Sequence, residues 1–177
     1  MRIISGTNKG RRIRVAGKGI RPTKGLVREA LFDMLGSRIQ GAIVLDIFAG
    51  TGALGLEALS RGASLCFFIE KRSKSLYENV LRCGYRESSK IIACDFRPAL
   101  KKLQGLRCNI IFLDPPYKKG YVSKTIQYIM ANNVLHEKGI LVVEHAPGEA
   151  IALSGDLRIT KVRQYGDTAL SFISHGT

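Results

Sequence analysis

Leu45-Asp46-Ile47-Phe48-Ala49-Gly50-Thr51-Gly52-Ala53-Leu54-Gly55-Leu56-Glu57-Ala58 decides the fold of this 177-residue chain. Residues 42–47 form an apolar run that reads as a buried strand, and residues 51–61 read as a helix. Between them, Gly50 and Gly52 permit a tight turn and a close ligand approach. The first turn of the helix offers free N–H donors. Outward from this unit the alternation repeats. Strands are predicted at 65–70, 90–94, 109–113 and 139–144, and helices at 24–35, 73–83, 97–103 and 122–131. The tail differs: 157–164 and 168–174 flank Tyr165-Gly166-Asp167 and read as a hairpin. Continuous apolar strands alternating with helices predict an α/β fold with a mostly parallel sheet covered on both faces. The hairpin brings the sheet to seven strands and makes one end antiparallel. Such sheets bind ligands beyond the carboxyl ends of their strands, where the strand order switches.

The residues that follow each strand are therefore the candidates. After the first come Asp46, Phe48, Gly50, Thr51 and Gly52. Gly50-Thr51-Gly52-Ala53-Leu54-Gly55 reads literally as GxGxxG, so spacing alone leaves a nicotinamide cofactor open. Asp46 tips the choice, because a carboxylate there repels a pyrophosphate but accepts from an amine. A ligand with a cationic head and a nucleoside, such as S-adenosylmethionine, fits better. Glu70 ends the second strand, 24 residues after Asp46. It suits the two hydroxyls of a ribose, or pairs at the surface with Lys71 or Arg72. After the third strand, Asp95 suits an adenine amine or a helix cap, and Phe96 suits packing on the adenine ring. After the fourth come Asp114, Pro115, Pro116 and Tyr117. The prolines stop the strand and fix the carbonyls that follow. The result is a rigid rim with an acid, free acceptors and a flat ring, suited to a nucleobase that carries an NH2. Glu144 and His145, after the fifth strand, are taken as structural.

Bulk properties narrow the class. Hydrophobic content of 45% and mean hydropathy of +0.03 predict one globular domain with a sizeable core. No apolar run reaches the length of a membrane span, and no signal-peptide core follows Met1. Cys66, Cys83, Cys94 and Cys108 form no CxxC pair and are expected to be reduced core residues of a cytoplasmic protein. His136, His145 and His175 are too scattered to suggest a metal. The net charge of +14 with pI near 10.0 points to a polyanionic partner. Nine cations precede the first acid, Glu29: Arg2, Lys9, Arg11, Arg12, Arg14, Lys18, Arg21, Lys24 and Arg28. A run without counter-charge repels itself unless something anionic lies against it. The expected division is a basic RNA-contacting arm at 1–23 and a catalytic domain at 24–177. Nothing demands more than a monomer.

Taken in order, these motifs resemble the class I S-adenosylmethionine-dependent methyltransferases, which are Rossmann-like. More narrowly, they resemble the bacterial RsmD family, which methylates the exocyclic N2 of a guanine in small-subunit ribosomal RNA. The narrow features are Arg2-Ile3-Ile4-Ser5-Gly6 with Lys9-Gly10-Arg11, Arg21-Pro22-Thr23 through Arg28-Glu29-Ala30-Leu31-Phe32, the glycine-loop stretch quoted above, and Asp114 to Tyr117. The resemblance implies that Asp46, Gly50 and Gly52 hold the methionine part of S-adenosylmethionine. Glu70 would bind its ribose, Asp95 and Phe96 its adenine, and Asp114 to Tyr117 the guanine. Arg21, Pro22, Thr23 and Arg28 would close over the cofactor and lead RNA in. Thr51 stands where family members often carry serine, which keeps the hydroxyl. Two other readings are an amino-methyltransferase acting on DNA adenine or cytosine, and a non-catalytic RNA-binding assembly factor. The first shares the Asp-Pro-Pro-aromatic rim, but 177 residues leave little room for a duplex-reading insertion. The second is opposed by the intact acid and glycine sets. An oxidoreductase gives the rim no role.

Overall fold

The central strand β1, Ile43–Ile47, has parallel partners on both sides. It pairs with β2 (Leu65–Ile69) on one side and β4 (Cys108–Leu113) on the other. β3 (Ser89–Ile92) extends the sheet beyond β2, and β5 (Leu135–His145) beyond β4. The hairpin β6 (Leu157–Tyr165) and β7 (Thr168–His175) closes the far edge antiparallel, giving the order β3-β2-β1-β4-β5-β7-β6. The computed structural model describes residues 1–15, 25–116 and 120–176.

Among the described residues, five α-helices cover the sheet: α1 (Gly25–Leu35), α2 (Ala53–Ser60), α3 (Lys74–Cys83), α4 (Phe96–Lys102) and α5 (Tyr121–Ala131). One layer buries Leu31, Leu56, Leu76 and Val80, from α1 to α3, against Phe68, Phe112 and Phe172. The other buries Leu100, Ile126 and Ile129, from α4 and α5, against Leu45, Ile111 and Val143. The strands are apolar on both faces because both faces are covered. Three of the cysteines are buried, Cys94 partly so, and all four are free thiols. No helix among the described residues is long and apolar enough to cross a membrane.

Two expectations change. β5 begins at Leu135 rather than 139, because Leu135 pairs with Cys108 across a bulge before the polar His136-Glu137-Lys138 is passed. The first fifteen residues are also no separate arm. Arg2 and Arg12 form an antiparallel bridge, and Ile3 and Ile13 lie buried in the α1–α3 layer. Burying two isoleucines contributes roughly 3–6 kcal/mol, enough to dock this segment firmly. The proposed junction at residue 23 lies outside the described residues.

Candidate active site

The chain runs outward from β1 through β2 to β3, then returns to β4 on the other side. The order therefore switches between β1 and β4, and it is beyond the carboxyl ends at such a switch that open α/β sheets hold their ligands. Asp46 sits one residue before the end of β1, opposite Phe112, and is buried. Its Oδ2 accepts the Gly55 N–H at 2.9 Å, which ties the strand to the first turn of α2. Burial pushes its carboxyl up to about 7; the Gly55 bond opposes the shift and Glu70 adds to it.

The glycines divide the work of the loop. A Cβ on Gly50 would meet nothing closer than 4.0 Å, so a ligand can approach its backbone. A Cβ on Gly52 would fall 2.5 Å from Leu76 Cδ1, and Gly52 also adopts φ 83°. A Cβ on Gly55 would fall 2.3 Å from Phe68 and 2.6 Å from Cys66 Sγ. Gly52 and Gly55 thus serve packing of α2 against α3 and β2, and only Gly50 faces open space. Phe48, beside this loop, is a non-glycine residue at φ 63°, a conformation found where a site holds its backbone under constraint. Thr51 is buried, and its carbonyl accepts from Asn79 Nδ2 at 3.0 Å.

Glu70 ends with both carboxylate oxygens aimed by backbone. Its Oε2 accepts Gly50 N–H and its Oε1 accepts Arg72 N–H, each at 2.9 Å. The surface pair with Lys71 is not formed, because Lys71 Nζ goes to Asp95 Oδ2 at 2.8 Å. Each Glu70 oxygen keeps a second acceptor site for a hydroxyl. Asp95 does cap a helix: its Oδ1 accepts Arg97 N–H at 3.0 Å and Arg97 Nε at 2.7 Å. The Arg97 side chain, then Lys71, holds this carboxyl well below the usual carboxylate range.

Phe96 departs from expectation. Its ring is buried among Phe48, Tyr121 and Tyr128, with centroids 5.3, 6.1 and 5.8 Å away. It therefore supports the pocket wall and has no free stacking face. Phe48, Tyr121 and Tyr128 are half-buried, and Phe48 is the member of this aromatic group that belongs to the glycine loop.

Asp114 follows β4 directly, half-buried, with Pro115 buried and Pro116 exposed. The last β4–β5 pair is Leu113 with Val143, so Asp114 and Glu144 are neighbours at the sheet edge. Burial raises the Asp114 carboxyl well above its ordinary value, and the charges of Glu144 and Asp46 raise it further. Sequence alone gives Glu144 a structural place, whereas its position beside Asp114 adds it to the candidate site. Tyr117, Arg21 and Thr23 lie outside the described residues.

The expected RNA-contacting side chains are mostly where a polyanion can reach them. Arg2, Lys9, Arg11, Arg12 and Arg14 are exposed. Arg2, Arg12 and Arg14 line a cavity of about 550 Å³ together with Arg82 of α3. Arg28 is a correction. It is 2% exposed, donates to the Arg2 carbonyl, and lies 3.8 Å from Glu57 Oε2, so it fastens the N-terminal segment and is out of reach of RNA. Glu57, fully buried on α2, accepts Ile4 N–H at 2.8 Å, Ser5 N–H at 3.0 Å and Arg61 Nε at 2.8 Å. Asn79 adds a second clasp, exchanging bonds of 2.9 Å with the backbone of Arg14. Neither residue was singled out from sequence. The available signal was a lone acid in the otherwise apolar helix Leu54-Gly55-Leu56-Glu57-Ala58-Leu59.

The family model described as Conserved hypothetical protein 95 matches residues 1–174. The chain is 37% identical to a Bacillus subtilis protein named "Putative rRNA methyltransferase YlbH", over 97% of each chain. It is 38% identical to the Escherichia coli K12 protein named ribosomal RNA small subunit methyltransferase D, over 81% of this chain and 74% of that one. A solved structure described as "Putative methyltransferase yhhF from Escherichia coli" matches with a TM-score of 0.89 at 32% identity, covering 99% of this chain and 97% of that one.

Proposed function

The chain belongs to the RsmD family, and on that premise we propose that it transfers a methyl group from S-adenosylmethionine to the exocyclic N2 of a guanine in small-subunit ribosomal RNA. The observation that carries this reading is the set of strand-end groups at the switch between β1 and β4. An open Gly50 backbone and an aimed Glu70 carboxylate stand on one side, and Asp114 stands on the other.

The residues present fit the cofactor. Gly50 leaves room at the backbone, and Glu70 has spare acceptor sites for two ribose hydroxyls. Asp46 provides an acid below the loop for an amino group. Asp95 already satisfies its helix and two cations, so an adenine amine there would share a carboxylate that is occupied. Phe48 gives the pocket an aromatic wall. When bound, S-adenosylmethionine supplies a methyl on a sulfonium, an activated donor that needs little further chemistry from the protein.

The remaining work is done by the chain's own groups. The amine of guanine is a weak nucleophile because its lone pair is delocalised into the ring. Asp114 and the Pro115 carbonyl accept its two N–H bonds and favour a localised lone pair. Tyr117 stacks on the base and fixes its plane. Both acceptors are rigid, since the prolines fix the backbone after β4, so the main contribution is orientation. An Asp114 carboxyl with a raised affinity for protons is also a suitable holder for the proton that the amine must lose.

The test is transfer of a labelled methyl from S-adenosylmethionine to small-subunit RNA or the assembled subunit, followed by mapping of the modified nucleotide. A methyl on guanine N2 supports the reading; a methyl on another base or atom overturns it. Asp114→Ala should lower transfer by at least about 100-fold, in the range of a lost positioning and proton-transfer group, while cofactor affinity measured by calorimetry stays near that of the parent. Transfer by Asp114→Ala at the parent rate would remove Asp114 from the mechanism.

A further inference from the structure

β6 is the outermost strand of the sheet, and Arg158 through Gln164 are all exposed along it. Its solvent-facing side chains are cationic on one face only. A bulge between Ile159 and Lys161 resets the register, so Lys161 stands opposite Phe172 and Arg163 opposite Leu170. Directly opposed residues share a face. Phe172 and Leu170 belong to the layer beneath α1 to α3, so Lys161 and Arg163 lie on that same face. Val162, opposite Ser171, takes the other.

The transverse row through Arg163 leads to the site. Arg163 pairs with Leu170, Leu170 pairs with Glu144, and Glu144 neighbours Asp114. Three strand spacings separate Arg163 from Asp114, about 14–15 Å. Among the described residues, neither Lys161 nor Arg163 pairs with a carboxylate, and β6 itself carries no acid. Arg158, farther along, is left aside because it neighbours Asp156, whose carboxyl is lowered first by the His175 hydrogen bond and in lesser part by Arg158.

We infer that Lys161 and Arg163 form a second phosphate-contacting surface, which holds the RNA strand on the side of Asp114 opposite the N-terminal segment. The occupant is the phosphodiester backbone of the RNA that presents its base at Asp114. Charge complementarity supports it: two cations with no carboxylate partner among the described residues share the face and the sheet end of the acceptor site, at the reach of one strand. This rests on the reading given under Proposed function. The competing occupants are a protein strand paired along the open β6 edge and no occupant at all, with the cations only guarding that edge.

The test compares Lys161→Gln/Arg163→Gln with a control of equal charge change, Lys101→Gln/Lys102→Gln on α4 over the other face. Binding of small-subunit RNA is measured against salt, with methyl transfer and thermal unfolding alongside. The β6 variant should bind RNA at least tenfold more weakly at low salt, and its salt slope should flatten by about 1.4–1.8, two contacts' worth. KM for RNA should rise with kcat near the parent value, and Tm should hold. The control should change both quantities by less than a third as much. Equal losses in the two variants would show a net-charge effect and overturn the proposal. An unchanged affinity in the β6 variant, with or without aggregation, would overturn it in favour of an edge guard or a protein partner. If the parent itself neither binds nor methylates small-subunit RNA, the fault lies with the parent reading; if it does both and the β6 variant matches it, only the second surface is wrong.

Discussion

At the scale of single residues, the site is governed by carboxylates placed close together. Asp114 is raised first by burial, then by Glu144 and Asp46. The ionised carboxylate is the stronger N–H acceptor and the form able to take the amine's proton, so transfer should rise with pH as Asp114 loses its proton. Glu144→Gln removes one of the charges that oppose ionisation. The acidic limb of the pH–rate profile should then move to lower pH in single-turnover methyl transfer. A limb that stays in place would mean that Asp114 does not set it. The limb belongs to the coupled group of acids, so its displacement is the informative quantity. Gly55 tests packing instead of charge. Alanine there gains helix propensity of about 1 kcal/mol. Its methyl would nonetheless press on Phe68 and Cys66, inside the approach limits of real carbon atoms. Overpacking of that kind costs about 1–3 kcal/mol. Gly55→Ala should therefore be destabilised by up to about 2 kcal/mol in denaturant unfolding, and a gain in stability would contradict the contact geometry.

At the scale of elements, most of the architecture was legible from the chain. Apolar runs such as Ile110-Ile111-Phe112-Leu113 are continuous because both sheet faces are covered, and Gly or Pro signals bound them. The strand-end rule then singled out Asp46, Glu70 and Asp114 as the acids around one switch point. What stayed hidden depends on long-range contacts. Arg28 reads as a surface cation on an amphipathic helix, and only the tertiary fold brings it to Glu57. Phe96 reads as a ring beside a ligand, but its neighbours Tyr121 and Tyr128 come from a helix 25 and 32 residues farther on. Glu57 is the test of this level. It joins α2 to Ile4, Ser5, Arg28 and Arg61. Removing one partner of a buried ion pair costs about 3–5 kcal/mol, because the other charge is left uncompensated. Glu57→Gln should cost about 3 kcal/mol in denaturant unfolding. It should also speed hydrogen exchange at Ile4 and Ser5 beyond the global effect. Exchange at those amides that follows global stability alone would show that Glu57 does not hold the segment.

At the scale of the whole molecule, the charge of +14 is carried by a body whose N-terminal segment is both structural and cationic. These roles belong to different side chains. Ile3 and Ile13 point into the core, while Arg11 and Arg12 are exposed. Arg11 does donate to the Arg82 carbonyl, but Arg12 contributes only backbone to the bridge with Arg2. Deleting the first fifteen residues would therefore uncover Glu57 and an apolar face, and would confuse loss of fold with loss of affinity. Replacing Arg11 and Arg12 by glutamine keeps the docked backbone and removes two charges. Each phosphate contact contributes about 0.7–0.9 to the slope of log affinity against log salt. RNA affinity should fall at low salt and converge with the parent at high salt, where counterion release no longer discriminates. Cofactor affinity should not move, since neither substitution touches the groups proposed to hold the cofactor, Asp46 in β1 and Gly50 and Glu70 after the strands. A parallel loss at every salt concentration would instead mean a shape-specific contact or a damaged fold, which the unfolding midpoint of the same variant distinguishes.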